Sequence, residues 1–471
     1  MRIRVIGGGL AGPEAALTAA RLGCAVDLYE MRAVVDGKPR LTPAHQTTEF
    51  GELVCSNSLK SESPHTAPWL LKQEMRRAGS ALLRIADATA VPAGHALAVD
   101  RVEFSRRIGA AIEAEPRIRV IREEVTRLES PSEEAAVTVV ATGPLTSEAL
   151  SKEIERLTGS GHLAFYDSIS PIVEAESIDR DRVYFAARWD KGTADYINCP
   201  MDRAEYDRFY DALIAAEAAE SRDWEKLDES APHAPSADAS EPRFFEGCLP
   251  IEVLARRGRD TLRFGPMKPV GLRDPRTGKI PWAVVQLRKE NLRADSYNLV
   301  GFQNHLKFGE QARVLRLIPG LENAHFLRYG QIHRNTYLCA PVLLDETLAL
   351  KNSAARLLFA GQISGVEGYT ESIATGMLAG IYAAAMARGE QPVPVPRATA
   401  LGSLVHYITH ASAKNFQPAN ATFDLLEPLE EEVRRKIRDK KERHRLQCER
   451  ALAAFDAWCA RTPLPIAGRS M

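Results

Sequence analysis

No stretch of the 471 residues approaches the roughly 18 consecutive apolar residues that a membrane-spanning helix requires. The amino terminus, MRIRVIGGG, lacks the basic region, apolar core and cleavage site of a secretory signal and enters a strand at once. Cysteine is scarce and odd in number, seven in all without regular spacing. That excludes a disulfide framework and fits a reducing compartment, so the cytoplasm is expected. Neither a C-x-x-C nor an H-E-x-x-H pair occurs, and no metal is expected. Net charge is nearly absent, at -1. An RNA partner would therefore have to meet a local basic surface rather than a basic protein. There is no internal repeat. What is present, 45% hydrophobic and 26% charged residues, is ordinary for a globular protein, and the length predicts two or three domains.

The first thirty residues carry the densest signal. "IRVI" (3–6) reads as a buried parallel strand, "GGGLAG" follows, "PEAALTAARLG" reads as a helix, and "AVDLYE" is the next strand, ending on Glu30. Gly7, Gly9 and Gly12 have G-x-G-x-x-G spacing. The first permits a tight turn, the second lets a pyrophosphate approach the backbone, and the third allows close helix–strand packing. With Gly8, Leu10 and Ala11 they place free N–H groups at a helix N-terminus, where phosphates are favoured. Glu30 is positioned to accept from an adenosine ribose, with Arg32 just beyond it. An acid there fits FAD or NAD better than NADP.

Two later segments favour FAD. "AAVTVVATGP" (135–144) is an apolar strand running into Ala141-Thr142-Gly143. "RLLFAGQISGVEGYTESIATGMLAGIYAA" (356–384) is a strand, a glycine turn containing Gly361 and Gln362, and a long helix of small residues. The expected fold class is thus α/β, a discontinuous Rossmann-like FAD-binding domain interrupted by an inserted α+β domain. The expected boundaries are 1–145 and 336–471 for the flavin domain and 146–335 for the insertion. Within the insertion, 215–243 reads as a helix end followed by a mobile loop. The tail, 429–458, reads as one charged helix.

Two cysteines stand in unusual settings, Cys55 in "ELVCSNSLKSE" and Cys248 in "FFEGCLPIE". From Arg243 to Lys289 there are 11 Lys and Arg against 4 Asp and Glu, a footprint suited to a phosphate-bearing substrate. Strings such as "VIGGGLAGPEAA", "ELVCSNSLKS", "VPAGHALAVDR", "FFEGCLPIEVLARRGRDTLRFGPMKPVGL", "GFQNHLKFGEQ" and "FAGQISGVEGY" extend over nearly the whole chain. Through them it resembles the folate- and FAD-dependent tRNA (uracil-5-)-methyltransferases, TrmFO. The resemblance implies methylation of C5 of the T-loop uridine of tRNA. The carbon would come from 5,10-methylenetetrahydrofolate and the reducing equivalents from NADPH or NADH through FAD. It implies that Cys248 is the nucleophile at C6, and that Cys55 lies by the flavin as the base at C5 or as a partner of the flavin-borne carbon. Tyr369 is implied to lie at the flavin. His305 and His333 are candidates for the folate pocket, and Arg256 and Arg257 for the RNA surface. Cys24, Cys199, Cys339, Cys448 and Cys459 read as structural. Three alternatives stay open at this point. One is the same chemistry on ribosomal RNA. The second is a longer related flavoprotein acting on the wobble uridine. The third is a flavin-bound RNA-binding protein without transferase activity.

Overall fold

A computed structural model of the chain describes residues 1–128, 137–159, 163–168, 170–190, 193–219, 249–330, 332–353 and 356–464; residues 163–168, 332–334 and 415 are described by backbone alone. Arg2–Ile6 lies at the centre of a five-stranded parallel sheet. Ala25–Tyr29 and Ile118–Ile121 flank it on one side, and Val137–Val140 and Leu357–Phe359 on the other. Both faces of such a sheet are covered, which is why these segments read as nearly continuous apolar runs. The helix Ala11–Arg21 and the nineteen-residue helix Tyr369–Ala387 cover one face. They can approach because a Cβ at Gly376 would lie 2.3 Å from the Ala11 carbonyl oxygen, and one at Gly380 would lie 2.7 Å from that of Ala15. The small-residue run is therefore a close-packing device.

The chain leaves this unit and returns to it through two antiparallel strands, Leu163–Ser168 and Ile332–Tyr337. Between them a six-stranded antiparallel sheet is built. It includes Tyr196–Met201, Ala283–Lys289 and Ser296–Leu299, with Arg203–Ile214 and Phe308–Leu315 packed as helices. Each unit has its own core. One contains Val5, Leu28, Val139 and Phe359, and the other Val173, Ile197, Val285 and Phe302. The fold class is the one expected from the sequence.

Two sequence expectations change. The tail is not one helix: Glu431–Lys436 ends at an extended Ile437, and a second helix, Lys440–Cys459, starts afresh. Asp439 causes the restart, since its carboxylate accepts the Lys441 N–H and caps the new N-terminus. The loop 215–243 is described only as far as residue 219, after the helix that ends at Ile214; the rest lies outside the described residues.

Buried carboxylates tie the flavin-side helices together. Glu74, fully buried, accepts the Ala400 N–H at 2.7 Å and the Leu401 N–H at 2.8 Å, so it caps the helix Ala400–His410 from another element. Glu14 does the same for Ala81 and Leu82. Replacing Glu74 by Ala leaves two buried N–H groups unpaired. That should cost about 2–4 kcal/mol and lower the denaturant midpoint, whereas Glu74→Gln, which keeps the volume and one acceptor, should lose less.

Candidate active site

The glycine turn after Ile6 has little freedom. Gly7 has φ +114°, and a Cβ there would lie 2.4 Å from the Ala141 carbonyl oxygen; one at Gly12 would lie 1.8 Å from that of Gly7. At Gly8 it would meet a Glu30 carboxylate oxygen at 2.3 Å. Gly9 differs, because nothing stands within 4 Å of its Cβ position. Three glycines are therefore demanded by the protein's own packing, and the fourth opens onto empty space.

That space is a cleft of about 140 Å³, open at one side. Gly7, Gly8, Gly9, Leu10, Ala11, Glu30, Arg32, Thr142, Gly361, Gln362 and Tyr369 are among the residues that line it. Gly12 stands behind the lining, against Gly7. Glu30 does not present free oxygens there. One accepts the Arg32 N–H and Nε at 2.8 and 3.1 Å, and the other accepts the Gly8 N–H at 2.8 Å and Arg32 Nη2 at 3.0 Å. Burial by itself would raise this carboxyl, but the Arg32 guanidinium outweighs it and holds it below the usual range. Gln362 donates to Glu367 at 2.7 Å.

Cys55, half-buried, does not itself line the cavity; it follows Val54 and is bonded to Tyr369, both of which do. The Tyr369 hydroxyl donates to its Sγ at 3.1 Å and accepts the N–H groups of Cys55 and Ser56 at 2.7 and 3.2 Å. Burial raises the Tyr369 phenol far above its ordinary value, so it stays a donor. The polar run after Cys55 is structural. Asn57 donates to the carbonyl oxygens of Val99 and Lys289 and accepts from Arg288 Nε at 2.9 Å, which clamps the turn between the two units. Arg101, paired with Glu290 at 2.7 Å and donating to the Leu53 carbonyl, and Arg328, donating to that of Ala44, bring positive charge to Cys55 and Tyr369. Sequence reasoning gave neither arginine a role, although Arg101 ends the quoted "VPAGHALAVDR".

The remaining candidates lie elsewhere. Arg256 and Arg257 are exposed at the end of the helix Ile251–Arg256. The His305 N–H donates to Glu252 at 2.8 Å, and burial pushes that carboxyl up to about 7. None of these three lines the cavity. His333 is in the strand Ile332–Tyr337, paired with Asp167, and its side chain is outside the described residues. Cys248 also lies outside them. Cys24, Cys199, Cys448 and Cys459 are buried, and burial pushes Cys448 up to about 12, as inert core thiols behave.

A family model described as glucose inhibited division protein A matches residues 2–391. A protein of Koribacter versatilis (strain Ellin345) named methylenetetrahydrofolate–tRNA-(uracil-5-)-methyltransferase TrmFO is 66% identical over 460 residues, 98% of each chain. The chain belongs to the TrmFO family. A TrmFO of the same full name from Solibacter usitatus (strain Ellin6076) is 60% identical over 97% of this chain and 98% of its own. Among solved structures, Aquifex aeolicus GidA superposes with a TM-score of 0.67 at 17% identity, over 97% of this chain and 73% of that one, a likeness of fold. Against this TrmFO background the parallel sheet, glycine turn and cavity form a Rossmann-like FAD-binding fold. Among the described residues no helix is long and apolar enough to cross a membrane.

His45, on the cavity wall, has its ring Nδ1 2.5 Å from the Thr42 hydroxyl. Burial, with the charge of Arg32 nearby, pushes it from 6.5 down to about 4. The unfolded chain therefore takes up this proton first, and stability present above pH 6.5 is lost as pH falls toward 4. A His45→Gln variant should lack roughly 1–3 kcal/mol of that acid sensitivity, read as a flatter plot of denaturant midpoint against pH.

Proposed function

We propose that the chain is a cytoplasmic flavoprotein that forms 5-methyluridine in the T loop of tRNA, with 5,10-methylenetetrahydrofolate as carbon donor and NADPH or NADH as reductant. The observation that carries this reading is the seating of Cys55 next to the cleft of the glycine turn, with its sulfur held by Tyr369, which lines that cleft. The TrmFO name of relatives 60–66% identical supports the reaction class. FAD fits the residues present: Gly9 leaves open the side where a pyrophosphate must approach, and the 142–143 turn and Gly361–Gln362 close the cavity opposite. When bound, FAD supplies the hydride that completes the methyl group. In domain terms, 1–145 and 336–471 would hold the flavin, and the inserted 146–335 would meet the RNA.

The chain's own side chains divide the remaining work. The Cys248 thiolate adds to C6 of the uracil, and the C5=C6 electron pair moves to C5, which bonds to the one-carbon unit. Cys55 then takes the C5 proton, and the electron pair released forms an exocyclic methylene at C5 as the carrier nitrogen leaves the one-carbon unit with the C–N electron pair. Addition of a hydride at that methylene would re-form C5=C6 and expel the Cys248 sulfur. Arg101 and Arg328 favour Cys55 as thiolate, and Tyr369 fixes its position. The uridine must leave its stack to be reached. Arg256 and Arg257 would hold the RNA backbone, and His305 and His333 the folate.

Two experiments test this. Gly9→Val adds a side chain into open space, so the protein should fold and melt like flavin-free wild type, yet purify without yellow flavin. Gly12→Val, which collides with the Gly7 carbonyl, should not fold; a fully flavinated Gly9→Val would misplace the site. With tRNA containing 5-fluorouridine, Cys248→Ala should form no covalent complex. Cys55→Ala should still attach through Cys248 while failing to methylate. An adduct mapped to Cys55 and retained in Cys248→Ala would reverse the assignment.

A further inference from the structure

Away from the cavity, the helix Ala400–His410 carries two histidines four residues apart, His406 and His410, on one face. Their rings stack at 4.3 Å. Glu346, from the turn that Asp345 organises by accepting from Thr347 and Ala349, projects toward them, with Oε1 3.7 Å from His410 Nε2. One donor atom from each of the three lies within 4.8 Å of the others. The expectation of no metal rested on the absence of C-x-x-C and H-E-x-x-H; the H-x-x-x-H of "HYITH" escaped it.

The geometry points to a binding site for a divalent transition cation, of the zinc or nickel class, formed by His406, His410 and Glu346. Two imidazoles and one carboxylate are a donor set that such ions select over magnesium or calcium. His410 is already oriented for it. Its Nδ1 lies 2.9 Å from the Thr409 hydroxyl and 3.3 Å from the His406 carbonyl oxygen, contacts that hold the ring with Nε2 as the nitrogen facing Glu346. In a tetrahedral site with bonds of about 2.0–2.1 Å, donors stand roughly 3.3 Å apart, so side-chain rotation alone closes the cluster. Glu346 and His410 are about half exposed, which leaves a coordination position for water or for a donor from another molecule. The bound ion would pin the end of this helix to the turn before the strand Leu357–Phe359.

The test uses untagged, full-length protein with its flavin, dialysed against Ni²⁺ to avoid thiol-seeking zinc. Wild-type protein should bind one equivalent more than the double variant His406→Ala/His410→Ala, and Ni²⁺ should raise its melting temperature but not the variant's. Glu346→Gln, on an exposed turn, should weaken binding by at least the roughly 10–100-fold that loss of even an outer-sphere partner brings, and it keeps the test valid if the helix variants fail to fold. Equal stoichiometry and affinity in wild type and variants would overturn the assignment.

Discussion

The pair Glu30–Arg32, sealed beneath the glycine turn, is the constraint on which the site depends. Glu30 anchors the Gly8 N–H, and Arg32 binds Glu30 through its backbone and its guanidinium. Arg32 Nη1 reaches Glu52 at 3.4 Å, and Glu52 in turn accepts from Gln46 and Thr47. A continuous line of charge-assisted bonds thus runs from the dinucleotide turn to the segment that carries Cys55. A buried pair of this kind adds little net stability, but losing one partner strands the other charge. Its value is positional, since the turn and the Cys55 segment cannot shift independently.

The second constraint crosses between the units. Asn57 is bonded to the strand Ala283–Lys289 of the inserted sheet, and Arg101, at the start of a flavin-side helix, is paired with Glu290 at that strand's end. The turn that carries Cys55 is therefore braced from both sides. A displacement of the inserted sheet would therefore act on the Cys55 turn through these bonds.

Much of this was legible because it is local. Strand, glycines, helix, second strand and terminal acid follow one another in sequence, and the same holds for the 137–143 and 357–369 segments, so period and spacing sufficed to read them. The rest depends on tertiary neighbours. Glu30 lines the cavity, and spacing alone does not reveal that its oxygens also accept from Gly8 and Arg32. Tyr369 lines the cavity, and spacing alone does not reveal that its hydroxyl also organises the Cys55 turn. Glu74 and Glu14 look like surface acids on amphipathic helices, and only the packing of remote helix N-termini against them explains their burial. Arg101 and Arg328 lie far apart in sequence, and pattern alone could not bring them to one thiol. The tail was read as a single helix because its apolar positions recur at helical spacing through Asp439, whose capping geometry interrupts it.

The bond between Cys55 and Tyr369 spans 314 residues. During synthesis the glycine turn, the Cys55 segment and the whole inserted unit emerge before the helix Tyr369–Ala387 that completes the cavity. Closing so long a loop is entropically slow to find, though it adds only logarithmically to the cost. The inserted unit has a core enclosed between residues 173 and 326, and the paired strands Leu163–Ser168 and Ile332–Tyr337 hold the distant ends together. The order of assembly follows: the nascent chain has no finished cavity until its last third is out, and the insertion acts as the internal scaffold that shortens the search.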